Sequence, residues 1–162
     1  MAMLGKEVRM SRLVNPKSNK MMAITVDHAI SRGIAPMTGL HHIQDTIDKI
    51  ILGKPDAMTM TKGIAEHCMW NHAGDVSMLM KISNYSPVAP TNDTVFGTVD
   101  EAIRMGADAV SMGAMTLGDF QGEQFERIGK VAEECMAKGM YIQRERVFRL
   151  TRELHGKILL TV

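Results

Sequence analysis

The chain has 162 residues, 45% of them apolar and 23% charged, which is the size and balance of one globular domain with a sizeable core. Nineteen Lys plus Arg against eighteen Asp plus Glu leave a net charge of +1, and only 4% of the residues are aromatic. That combination gives neither an electrostatic footprint nor stacking platforms for nucleic acid. No uncharged apolar run approaches the length of a membrane span, and Met1–Glu7 lacks the charged-then-apolar order of a secretion signal. Two cysteines, Cys68 and Cys135, stand apart with no CxxC, so free thiols in a reducing cytoplasm are expected.

In chain order the first signal is Met21–Val26, short, apolar and partly β-branched, stopping at Asp27-His28. By length and flanks this is a buried strand. Leu40, Ile43, Ile47, Ile50 and Ile51 then recur at helical spacing, with Gly53 as the expected left-handed stop and Pro55 blocking continuation. Ala57–Thr61 reads as the second strand, Ile64–His72 as helix, and Val76–Ser83 as the third strand. Thr98-Val99-Asp100-Glu101 is a capping box that opens a helix to Met105, and Ala109–Met112 is the fourth strand. Phe125, Ile128, Val131, Ala132, Cys135 and Met136 mark a long helix that ends at Gly139. Three helix-to-strand joints, beginning at Gly53, Gly74 and Gly106, share one spelling: a glycine, a polar turn residue, then an apolar strand.

Strands alternating with helices through short loops predict parallel β with crossover helices. At about 30 residues per βα unit, four or five units fit, either as an open flavodoxin-like sheet or as the first part of a (β/α)8 barrel. Methionine is unusually frequent, 16 residues in all, and the last is Met140. Four of nine arginines (Arg144, Arg146, Arg149, Arg152) crowd into the segment that follows. The chain therefore divides into residues 1–140 and a divergent tail, 141–162. In the tail Val147, Leu150 and Leu154 predict an amphipathic helix over Gln143–His155, and Lys157–Val162 a short strand. That helix is either a cap over the edge of an unclosed sheet or the accident of a shifted reading frame.

Chemistry in parallel sheets collects at the carboxyl ends of the strands. Here those ends carry Asp27-His28, Thr61-Lys62-Gly63, Lys81-Ile82-Ser83-Asn84 and Met112-Gly113-Ala114-Met115. Counting in twos puts Ala23, Thr25 and Asp27 on one face and Ile24 and Val26 on the other; Leu79, Lys81 and Ser83 likewise oppose Met78, Met80 and Ile82. A face of small and polar residues suits a barrel lumen, and a face of Ile, Val and Met suits contact with helices. A carboxylate beside a lysine suits carbonyl chemistry, in which the amine attacks and the acid shuttles protons, or else forms a buried ion pair. His67 and His72 are five apart, about 140° around a helix, and cannot close on one metal from one face. No GxGxxG or Walker pattern occurs, and Gly113–Gly118 reads as a flexible loop without the lysine of a P-loop, so no cofactor or metal is expected.

Ile24-Thr25-Val26-Asp27-His28 with Ser31-Arg32-Gly33 and Thr38-Gly39-Leu40 resembles the strand-one segment of the archaeal-type class I fructose-bisphosphate aldolases. That family includes 2-amino-3,7-dideoxy-D-threo-hept-6-ulosonate synthase and the autoinducer-2 thiolase. Thr61-Lys62-Gly63-Ile64 is similar to its strand-two end, and Thr98–Ser111 to its fourth βα unit. The match covers about Leu4 to Met140. It implies a (β/α)8 barrel and a Schiff base between a lysine and a phosphorylated ketose or dicarbonyl substrate. Asp27 would be proton donor and acceptor, His28 would lie in the mouth, and Lys62 and Ser83 would face the substrate. The family has Asp-His-Gly where this chain has Asp27-His28-Ala29, and its apolar fifth strand ends in a tyrosine that the text from Tyr141 onward does not reproduce. Its Schiff-base lysine belongs to strand six and its phosphate site to the loops after strands seven and eight. Lys62 and Lys81 are the available substitutes. The resemblance therefore implies a truncated aldolase, inactive alone; a half-barrel that works only in an assembly and a non-enzymatic small-ligand module are the alternatives. The exposed edges of an unclosed sheet favour association, most simply as a homo-oligomer.

Overall fold

In the computed structural model residues 4–32, 37, 39–116 and 118–148 are described, the side chains of 32 and of 144–148 excepted. The elements run α1 (Leu4–Leu13), β1 (Ala23–Thr25), α2 (Ala29–Arg32), a 3-10 turn at Leu40–His42, α3 (Ile43–Leu52), β2 (Ala57–Thr61) and α4 (Lys62–Cys68). After a second 3-10 turn at Trp70–His72 come β3 (Ser77–Lys81), β4 (Ser83–Ser86), β5 (Ala89–Val95), α5 (Val99–Arg104), β6 (Ala109–Thr116), α6 (Gln121–Ala137) and β7 (Tyr141–Phe148). Five strands form one sheet in the order β1-β2-β3-β6-β7, every neighbouring pair parallel. A doubly wound sheet grows in both directions from its first strand, whereas here each parallel strand adds to the same side. That order is a barrel's, and it sets aside the flavodoxin-like alternative. β4 and β5 make a separate antiparallel hairpin between β3 and α5, an element absent from the predicted order.

The two faces of the sheet divide as the alternation predicts. Val26, Met58, Met60, Met78, Met80, Ile82, Val110 and Met112 are buried in one cluster with Ile47 of α3, Ala65 and Cys68 of α4, Ala102 of α5 and Cys135 of α6. Each Val, Ile and Met side chain removed from water here stabilises by about 1.5–3 kcal/mol, and unbranched Met fills the uneven gaps between short helices. On the opposite face Ala57, Leu79 and Ala109 pack against Leu13, with Met10, Val14 and Tyr141 beside them. α1 thus closes the bottom of the sheet's inner face, a role that no signal in Leu4–Leu13 foretold. The capping box on α5 is present in both halves: Glu101 N–H donates to Thr98 Oγ1 at 3.1 Å and Thr98 N–H to Glu101 Oε2 at 3.0 Å.

Two expectations are corrected. Gly74 and Gly106 adopt φ of 91° and 79°, but in the first joint Gly53 keeps φ −76° and the left-handed residue is Lys54, at φ 51°. The joint needs one left-handed residue, and Pro55 fixes the chain just beyond it, so the turn falls one position later. The tail is not helical over its first part either: residues 143–148 continue β7, paired residue for residue with β6 from Ala109↔Tyr141 to Thr116↔Phe148. Gly139, at φ 63°, returns the chain from α6 to the open side of β6. Eight residues of ladder there outweigh the modest helix propensity of Arg and Glu. The remainder of the expected helix and the Lys157–Val162 strand lie outside the described residues.

One polar clamp ties α3 to the turn before β3. His72 Nε2 lies 2.7 Å from Asp48 Oδ1 and its Nδ1 lies 3.5 Å from Asp75 Oδ2. The hydrogen bond to Asp48, then that to Asp75, raises the His72 pKa from its ordinary 6.5, and His72 in turn lowers that of Asp48. A histidine raised by folding contributes stability below its unfolded pKa, and the contribution is lost as pH rises through the folded value. Urea midpoints should therefore fall between pH 6 and 8, and His72→Gln should flatten that dependence. An unchanged slope in the variant would show that the clamp has no part in it.

Candidate active site

The inner face of the sheet is layered by register. Thr25, Thr59, Leu79, Ala109 and Tyr141 stand in one row across the five strands. Two residues further along each strand, Thr61, Lys81, Ser111 and Gln143 form the next row, with Asp27 following Thr25 at the end of β1. The lower row is apolar where it meets α1. The upper row is polar because it sits at the carboxyl ends, away from that helix.

Asp27 is 7% exposed and Lys81 4%, and Lys81 Nζ stands 4.0 Å from Asp27 Oδ2. Thr25 Oγ1 donates to Asp27 Oδ1 at 2.9 Å, and His28 Nδ1 is 3.8 Å from the same oxygen. From the hairpin, Asn84 Nδ2 donates to the Asp27 carbonyl at 3.4 Å. The sequence-level pairing of a carboxylate with a lysine is thus realised between Asp27 and Lys81, with His28 half-exposed beside them. Removing the lysine would leave a buried carboxylate short of its cation. Lys81→Met should cost about 3–5 kcal/mol in unfolding free energy, and Asp27→Asn in the same chain should recover part of it. Strictly additive losses in a urea double-mutant cycle would contradict this coupling.

The other two expected site residues are placed differently. Lys62 Nζ pairs with Glu101 Oε1 at 3.1 Å, between α4 and α5 on the helical side of the sheet, and the ammonium holds the Glu101 carboxyl below its usual pKa. That side has a small cavity of about 200 Å³ lined by Lys62, Glu66, Glu101, Arg104 and Met105. Ser83 is fully buried at the start of the hairpin, and its Oγ accepts the Gly113 N–H at 3.0 Å. Gly113 lies within β6, not in a flexible loop, and a Cβ there would come 2.5 Å from Asp93 Oδ2. A side chain at this position would have to displace the buried Asp93 carboxylate, which the hairpin holds against β6.

Sequence reasoning passed over Asp93, Gln124 and Arg127. Asp93 is 3% exposed on β5, and Gln124 is 1% exposed on α6. Gln124 Oε1 accepts from Met115 N–H at 2.8 Å and from Asp93 N–H at 3.4 Å, while its Nε2 donates to the Thr91 carbonyl at 2.8 Å. Arg127 Nη1 donates to the Asp93 carbonyl at 3.1 Å. One helix therefore fixes the hairpin against β6. The available signal was a glutamine in the apolar stripe Gln124, Ile128, Val131, Cys135. Burial pushes the Cys135 thiol up to about 11 and also raises that of Cys68, so both thiols stay protonated at neutral pH. Among the described residues no three His, Cys, Asp or Glu side chains are grouped to hold a metal, and no helix is long and apolar enough to cross a membrane.

The family model of the DeoC/LacD family aldolases matches residues 21–149. The chain belongs to this aldolase family. Among its relatives, 2-amino-3,7-dideoxy-D-threo-hept-6-ulosonate synthase 1 of Archaeoglobus fulgidus is 30% identical over 135 residues, 82% of this chain and 50% of the relative. The 3-hydroxy-5-phosphonooxypentane-2,4-dione thiolase of Escherichia coli is 25% identical over 138 residues, covering 84% and 46%. The chain spans about half the length of the curated relatives it matches. In fold it is similar to a Schiff-base-forming fructose-1,6-bisphosphate aldolase solved for its reaction intermediates, with a TM-score of 0.79 at 18% identity over 93% of this chain and 60% of the other. An archaeal fructose-1,6-bisphosphate aldolase with its catalytic lysine bound to a carbinolamine intermediate superposes with a TM-score of 0.78, also at 18% identity, 93% of this chain and 60% of that one. These aldolase likenesses agree with the barrel-type order of the DeoC/LacD sheet. The family match runs to residue 149, beyond Met140, where the motif resemblance ends.

Proposed function

We propose that this chain supplies the amino-terminal strands of a class I, Schiff-base aldolase that makes or breaks a carbon–carbon bond in a phosphorylated ketose or related dicarbonyl compound. The observation that carries this reading is Asp27, buried at the carboxyl end of β1 on the inner face, with Thr25 and Lys81 at its carboxylate. Such a carboxylate can take the proton of a substrate hydroxyl as the carbon–carbon bond breaks and return it in the reverse direction. His28 sits at the solvent side of the same carboxylate and orients substrate. Ser83 acts at one remove, holding the hairpin to β6, and Lys62 acts through its ion pair on the outer side.

By the family resemblance the Schiff-base lysine lies on the sixth barrel strand and the phosphate site beyond it. In this reading β7 is the fifth parallel strand, and catalysis requires the later strands that carry that lysine and the phosphate site. A cytoplasmic setting is supported by two buried free cysteines. The open sheet edge supports a homo-oligomer as the resting state.

The purified chain should show no aldol cleavage of fructose 1,6-bisphosphate and no covalent adduct after borohydride treatment. A stable adduct at Lys62 or Lys81 by mass spectrometry would overturn the assignment of the lysine to a later strand. In a barrel reconstituted by joining residues 1–148 to the later strands of the Archaeoglobus fulgidus relative, Asp27→Asn should lower turnover about a hundredfold or more. Undiminished turnover in that variant would remove Asp27 from the reaction.

A further inference from the structure

The polar row at the top of the inner face contains one buried group for which no described residue supplies a partner. Gln143 lies on β7 in register with Ser111 of β6, and Ser111 is in register with Lys81 of β3. Its neighbours fix the face: Tyr141 packs onto the floor of the inner face with Leu13 and Leu79, while Ile142 packs into the helix-side core with the methionines. Gln143, two residues after Tyr141, therefore lies on the same face of the sheet as Asp27 and Lys81. Its carboxamide oxygen is buried and accepts no hydrogen bond from any described residue. A buried acceptor without a donor is costly to the folded chain unless something supplies one, and Asp27, Lys81 and Ser111 make this end of the inner face polar.

We propose that Gln143 is a specificity-determining residue whose Oε1 accepts a hydrogen bond from a hydroxyl group of the substrate. This rests on the aldolase reading in taking the inner face as the substrate chamber. The acceptor calls for a donor, which a bare carbonyl carbon chain lacks. The lysine ammonium already in the row disfavours a second cation there, so the donor is a hydroxyl. The ligand class is a hydroxylated ketone or aldehyde, and analogues without the hydroxyl leave the glutamine oxygen unpaired and bind less well. Gln143 is also a position that local pattern hides, because it falls in a segment whose arginines and glutamates read as helix.

The test uses the intact chain labelled with nitrogen-15 and two probes, dihydroxyacetone and acetone, titrated by nuclear magnetic resonance. Dihydroxyacetone should shift the Gln143 side-chain amide and the Ser111 backbone amide saturably, and acetone should not. Gln143→Met, close in length but without the acceptor, should weaken dihydroxyacetone binding about three- to tenfold, the range expected for one hydrogen bond. Gln143→Glu, which keeps an acceptor oxygen at the same reach, should bind dihydroxyacetone nearly as well as the native chain does, and this comparison stands if the methionine variant misfolds. If dihydroxyacetone moves the Asp27 and Lys81 signals while Gln143 stays still and Gln143→Met binds as tightly as the native chain, the inference is overturned and the aldolase reading stands. If no inner-face signal moves, the inference is overturned in this chain, and the reading is judged separately by Asp27→Asn in the reconstituted barrel.

Discussion

A parallel sheet that adds every strand to the same side must cover its two faces with different material, and this constraint organises the whole molecule. The crossover helices all fall on one face, so that face carries Met58, Met60, Met78, Met80, Val110 and Met112. Among the described helices the other face receives α1, at its lower end, through Leu13 against Leu79 and Ala109. The buried charges of that inner face, Asp27 and Lys81, consequently stand at the upper end, where the strands give way to loops. The position of the candidate site follows from where the covering helix stops.

At that upper end the energetic tension lies in burying Asp27 and Lys81 together. Taking either charge out of water alone costs several kcal/mol, and the pair offsets this only with further hydrogen bonds. Thr25 provides one at 2.9 Å to the Asp27 carboxylate. A hydrophobic pair of similar volume would serve stability as well or better, so retaining the charges at a strand end is consistent with chemistry there. The β4–β5 hairpin adds to the enclosure. Ser83 fastens its first strand to Gly113, and Gln124 and Arg127 of α6 fasten its second through Thr91 and Asp93. The mouth is thus shaped by polar contacts between elements distant in sequence, on a scaffold held by apolar ones.

Much of this was legible in the residues themselves. The strand-helix alternation, the capping box at Thr98 and Glu101, and the opposite faces of Asp27 and Val26 each depend on local spacing, because side-chain period and helix termini are properties of a few consecutive residues. The Asp27–His28 segment likewise carried the family resemblance without help from packing. What spacing could not give was any pairing over long range. Lys62 and Lys81 are equally plausible partners for Asp27 in the sequence, and only the sheet turns Lys81 inward and sends Lys62 outward to Glu101.

The sequence by itself determined the α/β class, the apolar and polar faces of the strands and the place of Asp27 at a strand end, since all three follow from local periodicity. The tertiary structure alone decided the direction in which the sheet grows, the covering role of α1, the hairpin over β6 and the conformation of residues 143–148. That last segment makes the physical reason plain. Its composition favours a helix weakly at each residue, and the open side of β6 offers it a ladder from Tyr141 to Phe148 that exists only once the sheet has formed.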